Sequence, residues 1–454
     1  MIIFTGLKRK GKTGFIMNSS LDAIQLVRQF IRIDTSNPPG NEEEAVLFLE
    51  DILKKEGIKC QIFVPFPKRA NLLVRIEGKK KGKPVILLSH IDVVPANKDE
   101  WDVDPFSGEV VDGFVYGRGS IDMKTQAICQ LLSFIRYYKD GVVPERDIIY
   151  LATCDEEVGG KYGVEYMLKE VPQLRDASFV LSEGGHIMED EGFIHAQISV
   201  AEKRLGQFMI KATGTGGHGS MPHKDNANEK IIDACKRILS YRWPFKPTSV
   251  VSAYLNGVFR GSKGKGYAFK NLKEALKDRR FRNYIEDDPV YNALLRNTVT
   301  PTILKGGEKV NVIPTESSAY FDARLLPIEK YETFFKKIVK LSGKDIEVVR
   351  ISNAASDPVS SGYNTRYFRG IRTIIEGMKG NSLPVLPYIT TGATDLRYFR
   401  QLGIPAYGFF PITLSKDEYL RMHGKNERIS IKNIREGLHG TYQIIKFLGS
   451  QEVS

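Results

Sequence analysis

The chain has 454 residues, 42% of them hydrophobic and 26% charged, which supplies a folded core and excludes both a disordered polymer and a disulfide-stapled miniature. No run approaches eighteen apolar residues, and the four cysteines (Cys60, Cys129, Cys154, Cys235) form no CxxC, so a membrane span and a zinc ribbon are excluded. Lysine and arginine exceed the acids by 66 − 54 = 12. That excess falls in runs at 8–12, 79–83 and 260–282, without a nucleic-acid-binding signature beside them, so they read as solvated faces. The expectation is a cytoplasmic protein with reduced thiols and neither a nucleic-acid nor a membrane partner. The start, MIIFTGLKRKGKTGF, runs from apolar to basic, the reverse of a secretory signal.

Apolar residues at Leu21, Ile24, Val27, Phe30 and Ile31 have the spacing of one helical face. The segment TSNPPGNEEE breaks that helix, Asn41 is placed to cap the next, and Gly57 to end it. Strands are predicted at 61–64, 72–76 and 85–89, then a helix after Met123, a strand at 148–153, a helix near 162–168 and a strand at 178–182. Alternating strands and helices argue for an α/β sheet covered on both faces. The character then changes. A strand at 207–213, a helix at 228–239, strands at 299–304 and 317–325, a helix at 329–341 and a strand at 345–351 give the β-α-β-β-α-β order of a ferredoxin-like unit. Residues 243–298 hold a stretch this order does not need. The expected organisation is a catalytic domain built from 17–202 and 354–454, with a lid domain, 203–353, inserted between its halves.

Chemistry-bearing residues stand at strand ends. SHIDVVPA puts His90 and Asp92 after an apolar run, where residues two apart share a side, so Asp92 can hold one imidazole nitrogen while the other faces a metal. YGRGSIDMK places Asp122 in a glycine-rich turn. Glu156 and Glu157 follow the next apolar strand, and Glu183 follows another. Taken singly, each is more often a turn or surface residue than a ligand. Together, and with His423, they form a carboxylate-rich set with imidazole that suits zinc or a similar divalent ion, and a bridging carboxylate permits two.

In its ordered motifs DTSNPPGNE, SHIDVVPA, WDVDPFSG, YGRGSIDMK, DEEVGG, SEGG, GHGSMPH, NVIP, FDARLLP, GATD and MHGKNERIS, the chain resembles the zinc-dependent amidohydrolases that include aminoacylase, acetylornithine deacetylase, succinyl-diaminopimelate desuccinylase and the carboxypeptidases, with the carboxypeptidase S-like branch nearest in pattern. The resemblance spans nearly all of the chain from about Asp22. It implies a zinc-peptidase-like mixed sheet flanked by helices, with an inserted ferredoxin-like α+β lid. It also implies two divalent ions, zinc first and cobalt or manganese as alternatives. Asp122 would bridge them, His90 and Glu183 would hold one, and Glu157 and His423 the other. Glu156 would be the general base and Asp92 the partner of His90. Ser182 stands where many members carry aspartate.

In the inserted segment, Gly214, Gly216 and Gly219 satisfy GxGxxG, but MPHKDNA rather than a helix follows, which argues against a dinucleotide loop. The resemblance makes His218 a lid histidine, Arg324 and Asn311 the grip on a substrate carboxylate, and Thr391 and Gly392 a loop beside it. His186, His195, His223 and His439 match no role. The implied activity is hydrolysis of an amide next to a free carboxylate, in short peptides or N-acyl amino acids. A small-acyl aminoacylase or deacetylase is the alternative, and an inactive binding protein or an aminopeptidase ranks below both. A homodimer through the lid and a true start at Met17 complete the expectations.

Overall fold

The computed structural model describes residues 22–190, 192–261, 271–351, 359–380 and 382–450. Leu21, the proposed start at Met17 and the boundary at 353 therefore lie outside the described residues.

Lys80–His90 lies parallel to Arg146–Thr153 on one side and to Phe179–Ser182 on the other, with Ala406–Gly408 parallel beyond. These strands are the middle of a ten-stranded mixed sheet that also carries Gln61–Phe66, Arg69–Ile76, Phe193–Glu202 and Val385–Thr390. Each central strand divides its side chains between two cores. Val85, Leu87, Ile148, Tyr150, Phe179 and Leu181 pack with the helices Lys124–Lys139 and Ile431–Gly449. Ile86, Leu88, Ile149, Leu151 and Val180 pack on the other face with Val164–Glu170 and Leu396–Gln401. This is the period-two alternation of a sheet buried on both sides, and it explains why the strands read as unbroken apolar runs.

Asp22 caps the first helix, Ala23–Arg32, by accepting from the Ile24 N–H at 2.9 Å. The second, Glu42–Lys55, corrects the sequence reading at its start. Asn41 makes no capping bond there; its amide donates instead to Glu44 Oε2 at 3.2 Å. Gly57, at φ +73°, ends it as expected.

The second sheet is antiparallel, in the order Thr298–Lys305, Glu316–Leu325, Phe208–Thr213, Glu347–Arg350. With the helices Ala227–Ser240 and Tyr331–Ser342 it has its own core around Phe208, Phe321, Phe334 and Ile338. Strand order and helix placement are ferredoxin-like. The extra stretch behaves differently from that unit. Its helix Ser249–Gly261 sends Val250, Val251, Tyr254, Leu255 and Val258 into the large core of the first sheet. Tyr254 meets Tyr388 edge-on at 5.0 Å between ring centroids. Within 243–298, set apart in the sequence as an extra insertion, the apolar stripe of Ser249–Gly261 is covered by the first sheet. Buried Lys203 joins the parts, its Nζ donating to Ala293 O, Arg296 O and Thr298 Oγ1 at 3.0, 3.0 and 3.2 Å.

Candidate metal centre and active-site cavity

Because the three central strands are parallel, His90, Asp155–Glu157 and Glu183 emerge at one sheet edge, where open α/β folds bind ligands. His90 closes its strand and is buried. Its Nδ1–H donates to the Asp92 carbonyl oxygen at 3.0 Å, which fixes the tautomer and leaves the Nε2 lone pair to face the carboxylates. Nε2 lies 2.9 Å from Asp122 Oδ1 and 3.6 Å from Glu183 Oε1. On the far side of Asp122, His423 Nε2 lies 2.9 Å from Oδ2 and 3.6 Å from Glu157 Oε1. Asp122 therefore offers one oxygen to each imidazole.

The Asp92 carboxylate does something the sequence reading did not foresee. It stands 3.6 Å from His90 Nδ1, with the backbone carbonyl closer. Its oxygens accept from the backbone N–H of Glu156 and of Glu157, both at 3.1 Å, and from Asn37 Nδ2 at 2.9 Å. Asp92 thus builds the turn that presents the two glutamates. Asp155, left-handed at φ +75°, starts that turn and is held by Arg69 Nη2 at 2.6 Å; Arg69 Nε also meets Glu42 at 2.6 Å. The Asp122 turn has its own brace. Buried Glu427 accepts from the N–H of Ile121 and Asp122 at 2.7 and 3.2 Å, and pairs with Arg118 at 2.6 Å. Arg397 Nη2 and Tyr398 Oη both donate to the Gly159 carbonyl, at 2.9 and 2.6 Å.

The donor set fits divalent cations. Glu157 Oε1 is buried without a hydrogen-bond partner. Ligand atoms of His90, Asp122 and Glu157, and of His90, Glu156 and Glu183, lie within 4.8 Å of one another. With protons as the only cations there, the imidazoles take them up. Burial opposes a charged His423, yet the carboxylates of Asp122 and Glu157 beside it push it up to about 11. Burial is likewise outweighed at His90, which is raised by Asp122 and Asp92, and at Asp122, which is held well below the usual carboxylate range by the two imidazoles. Burial and then neighbouring carboxylates push Glu183 well up, and burial does the same to Glu156 against the pull of His90. The cluster sets four carboxyl groups against two imidazoles, and a divalent ion would let all four ionise together.

Glu156, Glu157, Asp122, Glu183 and His423 line a cavity of about 590 Å³. Arg324, Thr391 and Gly392 line it too, so the structure gathers these eight predicted residues around one space. The Arg324 Nε is held by Asp322 at 3.0 Å. Phe410, Ile412, Leu414, Leu420 and Met422 make an apolar wall. Two predicted residues lie elsewhere. His218 and Asn311 are exposed on a small ladder that pairs Gly217–His218 with Val312–Ile313, and neither lines the cavity. His218 Nδ1 accepts from the Ser220 N–H at 3.1 Å, which leaves Nε2–H as a donor. The sequence reading missed Arg69, Glu427, Arg397 and His186. Arg118 and Glu427 sit inside the quoted motifs, but no local spacing links residues 309 apart. His186, given no role, lines the cavity and is buried against Tyr419 at 5.1 Å between rings.

A model of peptidase family M20/M25/M40 matches residues 86–446. The N-fatty-acyl-amino acid synthase/hydrolase of Bos taurus is 31% identical over 82% of this chain and 76% of its own length. Aminoacylase-1 of Sus scrofa is 28% identical over 94% of this chain and 95% of its own. Among solved structures, the M20 family metallo-carboxypeptidase Sso-CP2 from Sulfolobus solfataricus superposes with a TM-score of 0.69 at 18% identity, covering 94% of this chain and 99% of that one.

Proposed function

The chain belongs to peptidase family M20/M25/M40, and from that premise we propose that it hydrolyses the amide bond of N-acyl amino acids and short peptides next to a free α-carboxylate. It is a metal-dependent hydrolase; the substrate and the individual roles are our reading. One observation carries that reading: a carboxylate cluster with two imidazoles borders a single cavity that the Arg324 guanidinium and an apolar wall also line. Arg324, steadied at Nε by Asp322, turns its planar fork to the α-carboxylate, with Thr391 and Gly392 alongside. The wall of Phe410, Ile412, Leu414, Leu420 and Met422 favours an apolar acyl group over a charged one.

His90 and Glu183 would hold one divalent cation and Glu157 and His423 a second, with Asp122 between them; zinc is the first choice. Cations in these positions polarise the scissile carbonyl and acidify water. Glu156 accepts the proton that water gives up and returns it to the departing nitrogen. His218 Nε2–H donates to the carbonyl oxygen as negative charge builds, a contact worth about 2.7–4 kcal/mol when preorganised. As His218 and Asn311 do not line the cavity, they act by closure of the lid or from a second copy in a homodimer.

The test is hydrolysis by zinc-reconstituted protein of N-acyl amino acids graded from acetyl to long acyl chains, alongside dipeptides and amidated controls. Turnover that rises with acyl length supports the apolar wall as the acyl site. Turnover confined to acetyl substrates favours the small-acyl alternative, which the length match to aminoacylase-1 supports. Equal turnover of amidated controls would remove the carboxylate requirement.

A further inference from the structure

Away from the active site, the seam between the second sheet's unit and the insertion holds a cavity of about 680 Å³. Its wall carries Arg242, Lys246, Lys273, Lys277, Arg282 and Arg296 against one carboxylate, Glu286. Some of this charge is already met. Arg296 pairs with Glu286 at 2.7 Å, Lys277 with Glu274 at 2.7 Å, and Lys246 with Glu329. Arg242 also reaches Glu286, at 4.0 Å, so even with Glu274 and Glu329 counted, six cations face three carboxylates among the described residues.

The cavity is also short of acceptors. Arg242, Lys273 and Lys277 on its wall are solvent-exposed, so their ammonium and guanidinium groups are open to an incoming acceptor. Arg282 satisfies Nε and Nη2 on a backbone carbonyl, that of Leu276, at 3.0 and 2.8 Å. Cations held close together repel, and an anion between them relieves that repulsion. The wall is firm. Arg296 stacks over Phe245 at 3.8 Å, and Trp243 packs against Phe334 of the second core at 5.1 Å.

We propose that this cavity binds a small, multiply charged oxyanion, a phosphate or sulfate ester, between the guanidinium and ammonium groups of the seam. Guanidinium forks suit such groups because they meet two oxygens at once. Arg242 and Lys246 follow the second unit's helix, whereas Lys273, Lys277 and Arg282 belong to the insertion that packs on the catalytic sheet. A bound oxyanion would therefore tie the two parts together.

The test is calorimetric titration of the zinc-loaded full chain with sucrose octasulfate, chosen because sulfate esters chelate zinc poorly. The expected result is saturable binding at one site per chain, weakened at least tenfold by Lys273→Glu/Lys277→Glu/Arg282→Glu and by a rise from 50 to 300 mM salt. A control variant, Lys80→Glu/Lys81→Glu/Lys83→Glu, makes the same change of charge on a distant turn and should bind as the parent does. Equal weakening in both variants, or no saturable binding, overturns the proposal. Sedimentation with phosphatidylserine vesicles that is lost only in the cavity variant would assign the oxyanion to a lipid headgroup; its absence, with octasulfate binding intact, would assign it to a free ester. Amide hydrolysis by the cavity variant should match the parent within twofold, which separates this site from the proposed reaction.

Discussion

Asp92 holds Glu156 by its backbone: the Asp92 Oδ1 accepts the Glu156 N–H at 3.1 Å, while Oδ2 accepts that of Glu157 at the same distance. A single carboxylate thereby sets the direction of both glutamates, while its carbonyl sets the tautomer of His90. Burial works against its charge, and nearby His90 with the bonds from Asn37 and the Glu157 N–H still hold its pKa below the ordinary value.

Asp92→Asn tests that hold. The amide keeps one acceptor and turns a donor towards a backbone N–H, so the turn should loosen. We expect metal affinity or kcat to fall about 10–100-fold, the range for outer partners of metal ligands. Metal content by elemental analysis and kcat on one N-acyl amino acid check this; parent values for both would show the turn to be self-supporting.

Glu156→Gln should keep the fold and the metal and lose turnover by about 10²–10⁴-fold, because an amide cannot accept the proton. Thermal melting and metal stoichiometry should match the parent. Near-parent kcat would mean that another group is the base.

Arg324→Lys replaces a fork with a point charge. KM should rise, with kcat/KM falling more than kcat, and the amidated substrate should remain equally poor for both proteins. An unchanged kcat/KM would move the carboxylate site away from Arg324.

Removal of metal should make stability depend on pH. In the cation-free cluster Glu183 and Glu156 are raised above 4.5, and His423 is raised from 6.5 to about 11. A group whose pKa is higher folded than unfolded binds its proton more tightly when folded. Its contribution is therefore full below the unfolded pKa and is lost as pH rises through the folded one. Asp122 is shifted the other way and matters only below about pH 3.8. The melting temperature of chelator-treated protein should thus fall from pH 5 to 8, and zinc should remove the slope while raising the temperature at every pH. Parallel curves with and without zinc would count against cation binding at this cluster.

Mixing His218→Ala protein with Glu156→Gln protein separates closure from partnership. If the donor comes from a second copy, mixed dimers contain one site with both groups and regain a fraction of activity. If it acts within one chain, the mixture stays inactive.

Much of this was legible in the chain. Apolar runs ending in His90, Thr153 and Ser182 announced strands buried on both faces, and acids after parallel strands must meet at one edge. The second task of Asp92, holding the glutamate turn, was not legible for a definable reason. Strand alternation says which side Asp92 shares with His90, and nothing about backbone N–H groups 64 and 65 residues further on. The braces Arg118–Glu427 and Arg69–Asp155 were invisible because their partners are distant in sequence and a charged pair leaves no periodicity. Residues 243–298 were legible only as a stretch that the ferredoxin-like order does not need, which does not say which of two sheets will cover its helices.

The sharing of each central strand between two cores constrains how the gene can change length. Deleting one codon between Val85 and Ser89 would send Leu87's face to the side of Ile86 and rotate His90 away from Asp122. Both cores and the metal cluster would fail together. Insertions and deletions in such a strand are filtered by parity as well as by size, whereas the exposed turn around Gly141 carries no such filter.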